Sequence, residues 1–272
     1  MITPQQLLIG GGAVFAAGLI AHYAPTIRSA GAEKSGLSDV GFGYLSGAVP
    51  KGLARLPPPP APGSPAMRKD EDARQAALKL NDPARYAEAV ADSDRSFATT
   101  LKSFSCAMGM DIGEQSTPHI AHLLNKMRID VRHAAGPLRN RYKRQQPFVM
   151  YKTATCSPKD EALVANQGSY PSARGAVGWS YAIVLAELNP GRAPAILQRG
   201  RDFGESRVIC GSHWQSDIDA GNEVGRLVVA QLHQNKGFAA DFEVAKREVA
   251  QLRASGVKPS GQCNVPSSVA SR

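Results

Sequence analysis

From Ala66 almost to the C-terminus, apolar residues recur every three to four positions, and sustained apolar–polar alternation is missing. That period belongs to one face of a helix, not to a half-buried strand. Helices are expected over 67–81, 83–91, 93–105, 117–134, 138–145, 172–188, 192–203, 215–234 and 238–254. The punctuation agrees. "NDPARY" and "STPHI" set Asp82 or Ser116/Thr117 before a proline, as at a helix start. Ser172 is a natural N-cap for the apolar run Val177, Tyr181, Val184, Leu185 and Leu188, and "ELNPGR" closes that run at Asn189 and Pro190. The expected fold class is all-α, a compact multi-helix bundle over 66–255, without internal repeats.

The chain before that bundle is patterned differently. Leu7 to Ala24 carries no charged residue, and its apolar heart, Leu7–Ile20, has the length of a signal peptide. Ala30-Gly31-Ala32 fits a small-x-small cleavage site. Residues 1–32 are therefore expected to be a signal peptide or an inner-membrane anchor, which places the protein in the periplasm or outside the cell. Gly10–Gly12 lack the Gly-Lys-Ser/Thr of a phosphate loop. Residues 33–65 are rich in Gly and Pro. Pro57–Pro60 cannot be helical, and the segment reads as an extended strap. Residues 256–272 form a polar tail, loose unless Cys263 ties it down.

Charge and cysteines add less. A net charge of +9 favours anionic partners without choosing among them. The run "RIDVRHAAGPLRNRYKR" has only Tyr142 interleaved for base stacking, so it reads as a solvated helix face with Arg139 turned inward, not as a nucleic-acid site. Cys106, Cys156, Cys210 and Cys263 have no CxxC spacing. No metal site or other cofactor is expected, and in an exported protein the four cysteines form two disulfides with three possible pairings. His119 and His122 are three apart, but they lack a carboxylate at metal-ligand spacing.

The chemistry concentrates in "ESRVICGSHWQSDIDAG", 205–221. His213 and Asp217 are four apart where a helix begins, so they share a face. A carboxylate beside an imidazole orients it and stabilises its charged form, which a nucleophilic or acid–base histidine needs. Arg207 can place a guanidinium beside a bound phosphate. In "YPSARGAVGW", Ser172 opens a helix suited to holding an anion, yet Arg174 sets a permanent cation in its first turn, where the dipole disfavours one.

These stretches together resemble the bacterial class A non-specific acid phosphatases, of the phosphatidic acid phosphatase type 2 superfamily that also contains vanadium haloperoxidases. The resemblance runs from about Tyr44 to about Ala254. It rests on "YLSGAVPKGLARLPPPPAPGS", "YPSARGAVGWSYAIVLAELNP" and "RGRDFGESRVICGSHWQSDIDAG". The family pattern is Lys-x6-Arg-Pro, then Pro-Ser-Gly-His, then Ser-Arg-x5-His-x3-Asp. The third part is intact as Ser206, Arg207, His213 and Asp217. It implies a histidine that forms a phosphohistidine, an aspartate that orients it, and an arginine on the phosphate oxygens. The first part has Arg139 for lysine and Gln146 for arginine. The second keeps Pro171 and Ser172 but has Ala173 for glycine and Arg174 for the histidine that serves as general acid.

The resemblance thus implies a site with its nucleophile and without its acid. A general acid contributes roughly 10²–10⁴-fold, and arginine, with a pKa above about 12, does not replace it. Gln146 is expected to donate a neutral hydrogen bond to phosphate, and Arg139, Arg174 and Arg207 to supply charge, with Ser172 and Ala173 at the helix start. His133 is the internal candidate to supply the missing proton. The expected function is hydrolysis of phosphate monoesters with reduced activity. The alternative is an inactive relative that binds phosphate or phospholipid headgroups. A phosphate-bearing small molecule is the expected partner and nucleic acid is not. The membrane enters only through a retained leader, and a homo-oligomer is left open.

Overall fold

The computed structural model describes residues 42–261 and 263, and the leader lies outside them. The described chain is helical, without strands. Its α-helices are α1 (Pro65–Leu78), α2 (Pro83–Ala91), α3 (Phe97–Lys102), α4 (Ser105–Met108), α5 (Pro118–Tyr142) and α6 (Pro147–Tyr151). They continue as α7 (Pro158–Val164), α8 (Ala173–Leu188), α9 (Ala193–Ile209), α10 (Gln215–Leu232) and α11 (Lys236–Ala254).

Helix α8 is the central member. It is apolar nearly all round, as a core helix must be, and packs against α5, α9 and α10. Its approach to α10 depends on two glycines. A Cβ on Gly221 would lie 2.5 Å from the Ser172 carbonyl oxygen, and one on Gly225 2.7 Å from that of Ala176. This close crossing joins the start of α8 to the start of α10, and the Ser172 N–H donates to the Asp217 carbonyl at 2.8 Å.

The N-caps at Asp82 and Ser172 form as the sequence implies, with side chains accepting from Arg85 N and Gly175 N. Three expectations change. The helices expected over 117–134 and 138–145 are one helix, α5, with Pro137 inside it. Gly136 precedes that proline and has no Cβ to clash with its ring. The helix expected over 93–105 is broken: residues 92–96 form a loop, and α3 begins only after Ser96, whose hydroxyl accepts from Thr99 N. Helices α6 and α7 are too short to show a period, and each announces itself only by a proline at its first position.

Two disulfides settle the pairing. Cys106–Cys263 ties the tail to α4, and Cys156–Cys210 ties the loop after α6 to the end of α9. The described part of the strap lies against the bundle through buried Leu53 and through Tyr170, whose hydroxyl donates to the Pro57 carbonyl at 2.5 Å.

Candidate active site

His213 lies in the tight turn between α9 and α10. Ser212 N and His213 N both donate to the Arg207 carbonyl, and Gly211 takes the positive φ of 66° that the turn requires. Asp217 is in the first turn of α10, fully buried, and accepts from Trp214 N at 2.9 Å. The pair is therefore made by a loop against a helix start, not by two positions on one helical face. His213 Nδ1 stands 3.4 Å from Asp217 Oδ2.

Two residues that the motifs do not name complete this pair. The Ser169 hydroxyl donates to Asp217 Oδ2 and lies 3.1 Å from His213 Nδ1. Its hydrogen is committed to an acceptor-only carboxylate, so Ser169 Oγ accepts from Nδ1–H. That network assigns the tautomer with the lone pair on Nε2. Arg144 Nη1 donates to Asp217 Oδ1 at 2.7 Å, and its Nη2 donates to Asp70 Oδ2 at 2.6 Å. The basic run at the end of α5 thus turns Arg144 inward as well as Arg139.

Electrostatics follow from this burial. Burial pushes the Asp217 carboxyl up, but His213, Arg144 and the Ser169 hydroxyl more than offset it and hold it below the usual carboxylate range. Burial pushes His213 down. Asp217 pulls it back, Arg139 and Arg207 push it further down, and the net result lies below its ordinary 6.5.

The break in the expected 93–105 helix holds the arginines. Arg207, buried in the last turn of α9, donates through Nη1 to the Asp92 carbonyl at 2.9 Å and through Nη2 to Ser93 Oγ at 2.9 Å. Arg174 Nη2 donates to the carbonyls of Asp92 at 2.8 Å and Asp94 at 2.6 Å, with its guanidinium over the Phe203 ring. Backbone carbonyls that a continuous helix would use internally are thereby given to two guanidinium groups. The Nε atoms of both arginines are buried without a hydrogen-bond partner. Burial and the mutual repulsion of the arginines pull Arg174 down to about 9, and burial opposed by Asp92 pulls Arg207 down to about 10. Both stay cationic at neutral and acidic pH.

Arg139 reaches the Gly168 carbonyl through Nε at 2.8 Å and Gln167 Oε1 through Nη2 at 3.0 Å. It lowers the affinity of His213 for a proton, so it belongs to the site's field. Gln146 is a correction. Its amide nitrogen donates to the carbonyls of Val164 and Gln167 at 2.8 and 2.7 Å, so both its hydrogens are committed to the protein. Gln146 fastens the segment before Ser169 and has no donor left for phosphate. Ser172 Oγ accepts from Gly175 N to cap α8, which leaves its hydroxyl hydrogen uncommitted, and Ala173 is the first residue of that helix.

His133 is a second correction. It is exposed on α5, lies against Gly47 of the strap, and is felt electrostatically by Asp130. His119 is exposed, and exposed His122 pairs with Asp241 at 3.3 Å. His233 pairs with Glu187 at 3.0 Å. Among the described residues, no three His, Cys, Asp or Glu side chains gather as metal ligands.

No family model matches the chain. It is 38% identical to the acid phosphatase of Zymomonas mobilis over 207 residues, which cover 76% of this chain and 78% of that protein. It is 41% identical to a non-specific acid phosphatase of Providencia stuartii over 74% of this chain and 82% of that protein. The non-specific acid phosphatase of Salmonella typhimurium is 37% identical over 71% and 78%. The chain belongs to the acid phosphatase family. Within this phosphatase family, the all-α fold is as the sequence pattern implies. Arg144, Ser169 and the 92–95 loop are the parts of its site that motif reading misses, because none of them has a spacing signature.

Proposed function

We propose that this acid phosphatase homologue hydrolyses phosphate monoesters through a phosphohistidine on His213, at reduced activity. One observation carries the reading: Asp217 and Ser169 engage His213 Nδ1, which leaves the Nε2 lone pair for phosphorus. Asp217 stabilises the imidazolium that forms on attack, and Arg144 and Ser169 hold Asp217 for that role. Arg207, Arg174 and Arg139 supply the positive field for the phosphoryl oxygens, where charge-assisted hydrogen bonds are worth about 1.5–3 kcal/mol each. Reduced activity follows from Arg174. It stands at the general-acid position of the motif, where a guanidinium that stays cationic at neutral and acidic pH is a poor substitute for an imidazolium, and the loss costs roughly 10²–10⁴-fold when the leaving group is an alkoxide.

The inactive-binder alternative is not favoured, because His213, Asp217, Ser169 and Arg144 form one connected set of contacts of the kind a nucleophilic histidine needs. An oxidising location such as the periplasm is supported by the two disulfides. Among the described residues no helix is long and apolar enough to cross a membrane. The deciding experiment is hydrolysis of p-nitrophenyl phosphate by wild type and His213→Ala, with trapping of phosphoenzyme by an alkaline, denaturing quench that preserves the P–N bond. Wild-type turnover and trapped phosphate that both vanish in His213→Ala support the reading. Turnover that survives in His213→Ala overturns it.

A further inference from the structure

Two guanidinium groups of the proposed phosphate cradle hang on one residue that lies outside all three motif segments. Asp92 is the C-cap of α2, is 3% exposed, and offers a carbonyl that the helix leaves without an internal partner. Arg174 Nη2, from α8, and Arg207 Nη1, from α9, both donate to it. A carbonyl at a helix C-terminus carries the negative end of the helix dipole, so cations suit it. Each guanidinium commits two of its five donors to the 92–94 backbone or Ser93, and each leaves a buried Nε without a hydrogen-bond partner.

The Asp92 side chain is as fully engaged as its carbonyl. Its Oδ1 pairs closely with Arg199 Nη2, and its Oδ2 accepts from the Ser206 hydroxyl at 2.7 Å. That hydroxyl also lies 2.8 Å from the Asp202 carbonyl, but the carboxylate is the stronger acceptor. Either way its one hydrogen is committed within the protein, and its oxygen accepts from Arg85 Nη1 at 2.9 Å. Ser206, although part of a motif, therefore serves Asp92 and not phosphate. Arg199 reaches further. Its Nε donates at 2.9 Å to the carbonyl of Ser103, the C-cap of α3, so one side chain of α9 braces both ends of the segment from 92 to 103. Its guanidinium also lies over the Phe203 ring, which carries Arg174 as well. A buried carboxylate held by a cation and a hydroxyl has little freedom, because each unmade contact in the interior is costly. The peptide that follows it is fixed with it. The charge of Asp92 also favours the cationic form of both Arg174 and Arg207.

Resting on the phosphohydrolase reading above, we infer that Asp92 is a positioning residue: braced by Arg199 and Ser206, it fixes through its own carbonyl the edges that Arg174 and Arg207 present to a phosphoryl group. Asp92 itself touches no substrate. What it sets is the affinity of the cradle for phosphate.

The test measures the Kd of inorganic phosphate by calorimetric titration, alongside kcat and KM for p-nitrophenyl phosphate. The proteins are wild type, Asp92→Asn, Ser206→Ala, Arg199→Gln, Arg199→Lys, the double variant Asp92→Asn with Arg199→Gln, and Arg207→Gln. Glu248→Gln is the control for stability alone, since Glu248 caps the N-terminal end of α5 by accepting from His119 N and Ile120 N. A merely structural loss lowers the folded fraction, and with it apparent kcat, but leaves Kd and KM of the folded protein where they were. Asp92→Asn and Arg199→Gln are instead expected to raise both Kd and KM about tenfold or more, the worth of one charge-assisted hydrogen bond, and Ser206→Ala about threefold. Arg199→Lys keeps a cation and recovers part of the loss. The double variant loses no more than Asp92→Asn, since both changes act through one carboxylate.

Unchanged Kd and KM in folded Asp92→Asn, additive losses in the double variant, or an equal rise in Glu248→Gln overturns the inference. If Asp92→Asn does not fold, Ser206→Ala decides: a rise in Kd supports the role, and an unchanged Kd overturns it. Arg207→Gln separates this role from the reading beneath it. Phosphate affinity lost in Arg207→Gln but kept in the Asp92, Arg199 and Ser206 variants overturns the role of Asp92 and leaves the phosphohydrolase reading. Affinity unmoved in Arg207→Gln removes the arginine cradle, and both fall.

Discussion

Arg144 joins two buried carboxylates that are far apart in sequence, donating to Asp217 Oδ1 at 2.7 Å and to Asp70 Oδ2 at 2.6 Å. Asp70 also accepts from the N–H and hydroxyl of Ser216, so the α1–α10 contact and the support of the proposed nucleophile share one guanidinium. Replacement by an apolar side chain leaves two carboxylates buried without their cation. Arg144→Met is expected to cost about 3–5 kcal/mol of stability, the scale for breaking a buried pair. Urea denaturation monitored by tryptophan fluorescence measures it. A loss under 1 kcal/mol would show that water replaces the guanidinium.

The acid limb of activity should report His213. The proposed nucleophile acts unprotonated, and burial with Arg139 and Arg207 nearby holds its pKa below 6.5, so kcat/KM should fall only below the ordinary imidazole range. Arg139→Gln removes a positive neighbour, which raises the His213 pKa and moves the limb to higher pH. Stability has the same sign. Between the folded pKa and about 6.5 the unfolded chain binds more protons, so His213's contribution is complete above about 6.5 and is lost as pH falls. Asp217, also lowered, adds a second loss below about 3.9. A pH–rate profile of Arg139→Gln that overlays wild type would remove Arg139 from the field of the nucleophile.

Arg174→His is expected to have opposed effects. It introduces a group able to protonate an alkoxide, and turnover of glycerol phosphate should rise, by at most roughly 10²–10⁴-fold. It also removes the donor that binds the carbonyls of Asp92 and Asp94. Two lost charge-assisted hydrogen bonds at about 1.5–3 kcal/mol each put the expected destabilisation at roughly 3–6 kcal/mol. Thermal melting and alkyl-phosphate kinetics on one preparation read both effects. A stable variant without rate gain would mean that the histidine does not reach the leaving group.

Much of this was legible in the sequence, and the limits have physical causes. Long helices such as α8 and α10 show because four to five turns in each must bury apolar positions, and the caps of α8 follow from local chemistry at Ser172 and Asn189. The His213–Asp217 pair shows because its spacing is fixed. The 92–96 loop does not. Its local sequence is compatible with helix, and it is broken by guanidinium groups arriving from α8 and α9, more than 80 residues away. Ser169 and Arg144 were hidden for the same reason, since each acts across the fold. Gln146 was misread because a motif position fixes where a residue sits, not which carbonyls compete for its amide.

The Cys156–Cys210 disulfide bears on the site through chain geometry. Cys210 ends α9 and is followed at once by Gly211, Ser212 and His213. Phe148 N, one residue into α6, donates to the Gly211 carbonyl at 3.1 Å, so the same turn is fastened on both sides. The bridge closes a span of 54 residues in sequence. In the chain-entropy account a loop of that size is worth about 4 kcal/mol, and a native bridge in an exported domain typically about 2–5. Cys156→Ala with Cys210→Ala should lose stability on that scale in equilibrium denaturation. If the bridge also positions His213, the double variant should lose kcat at temperatures well below its melting point, with KM for p-nitrophenyl phosphate nearly unchanged. The guanidinium groups of Arg174 and Arg207 are held by the Asp92 and Asp94 carbonyls and Ser93, and that of Arg139 by Gly168 and Gln167, so ground-state binding should survive. A variant that melts earlier but keeps wild-type kcat in the cold would confine the disulfide to stability.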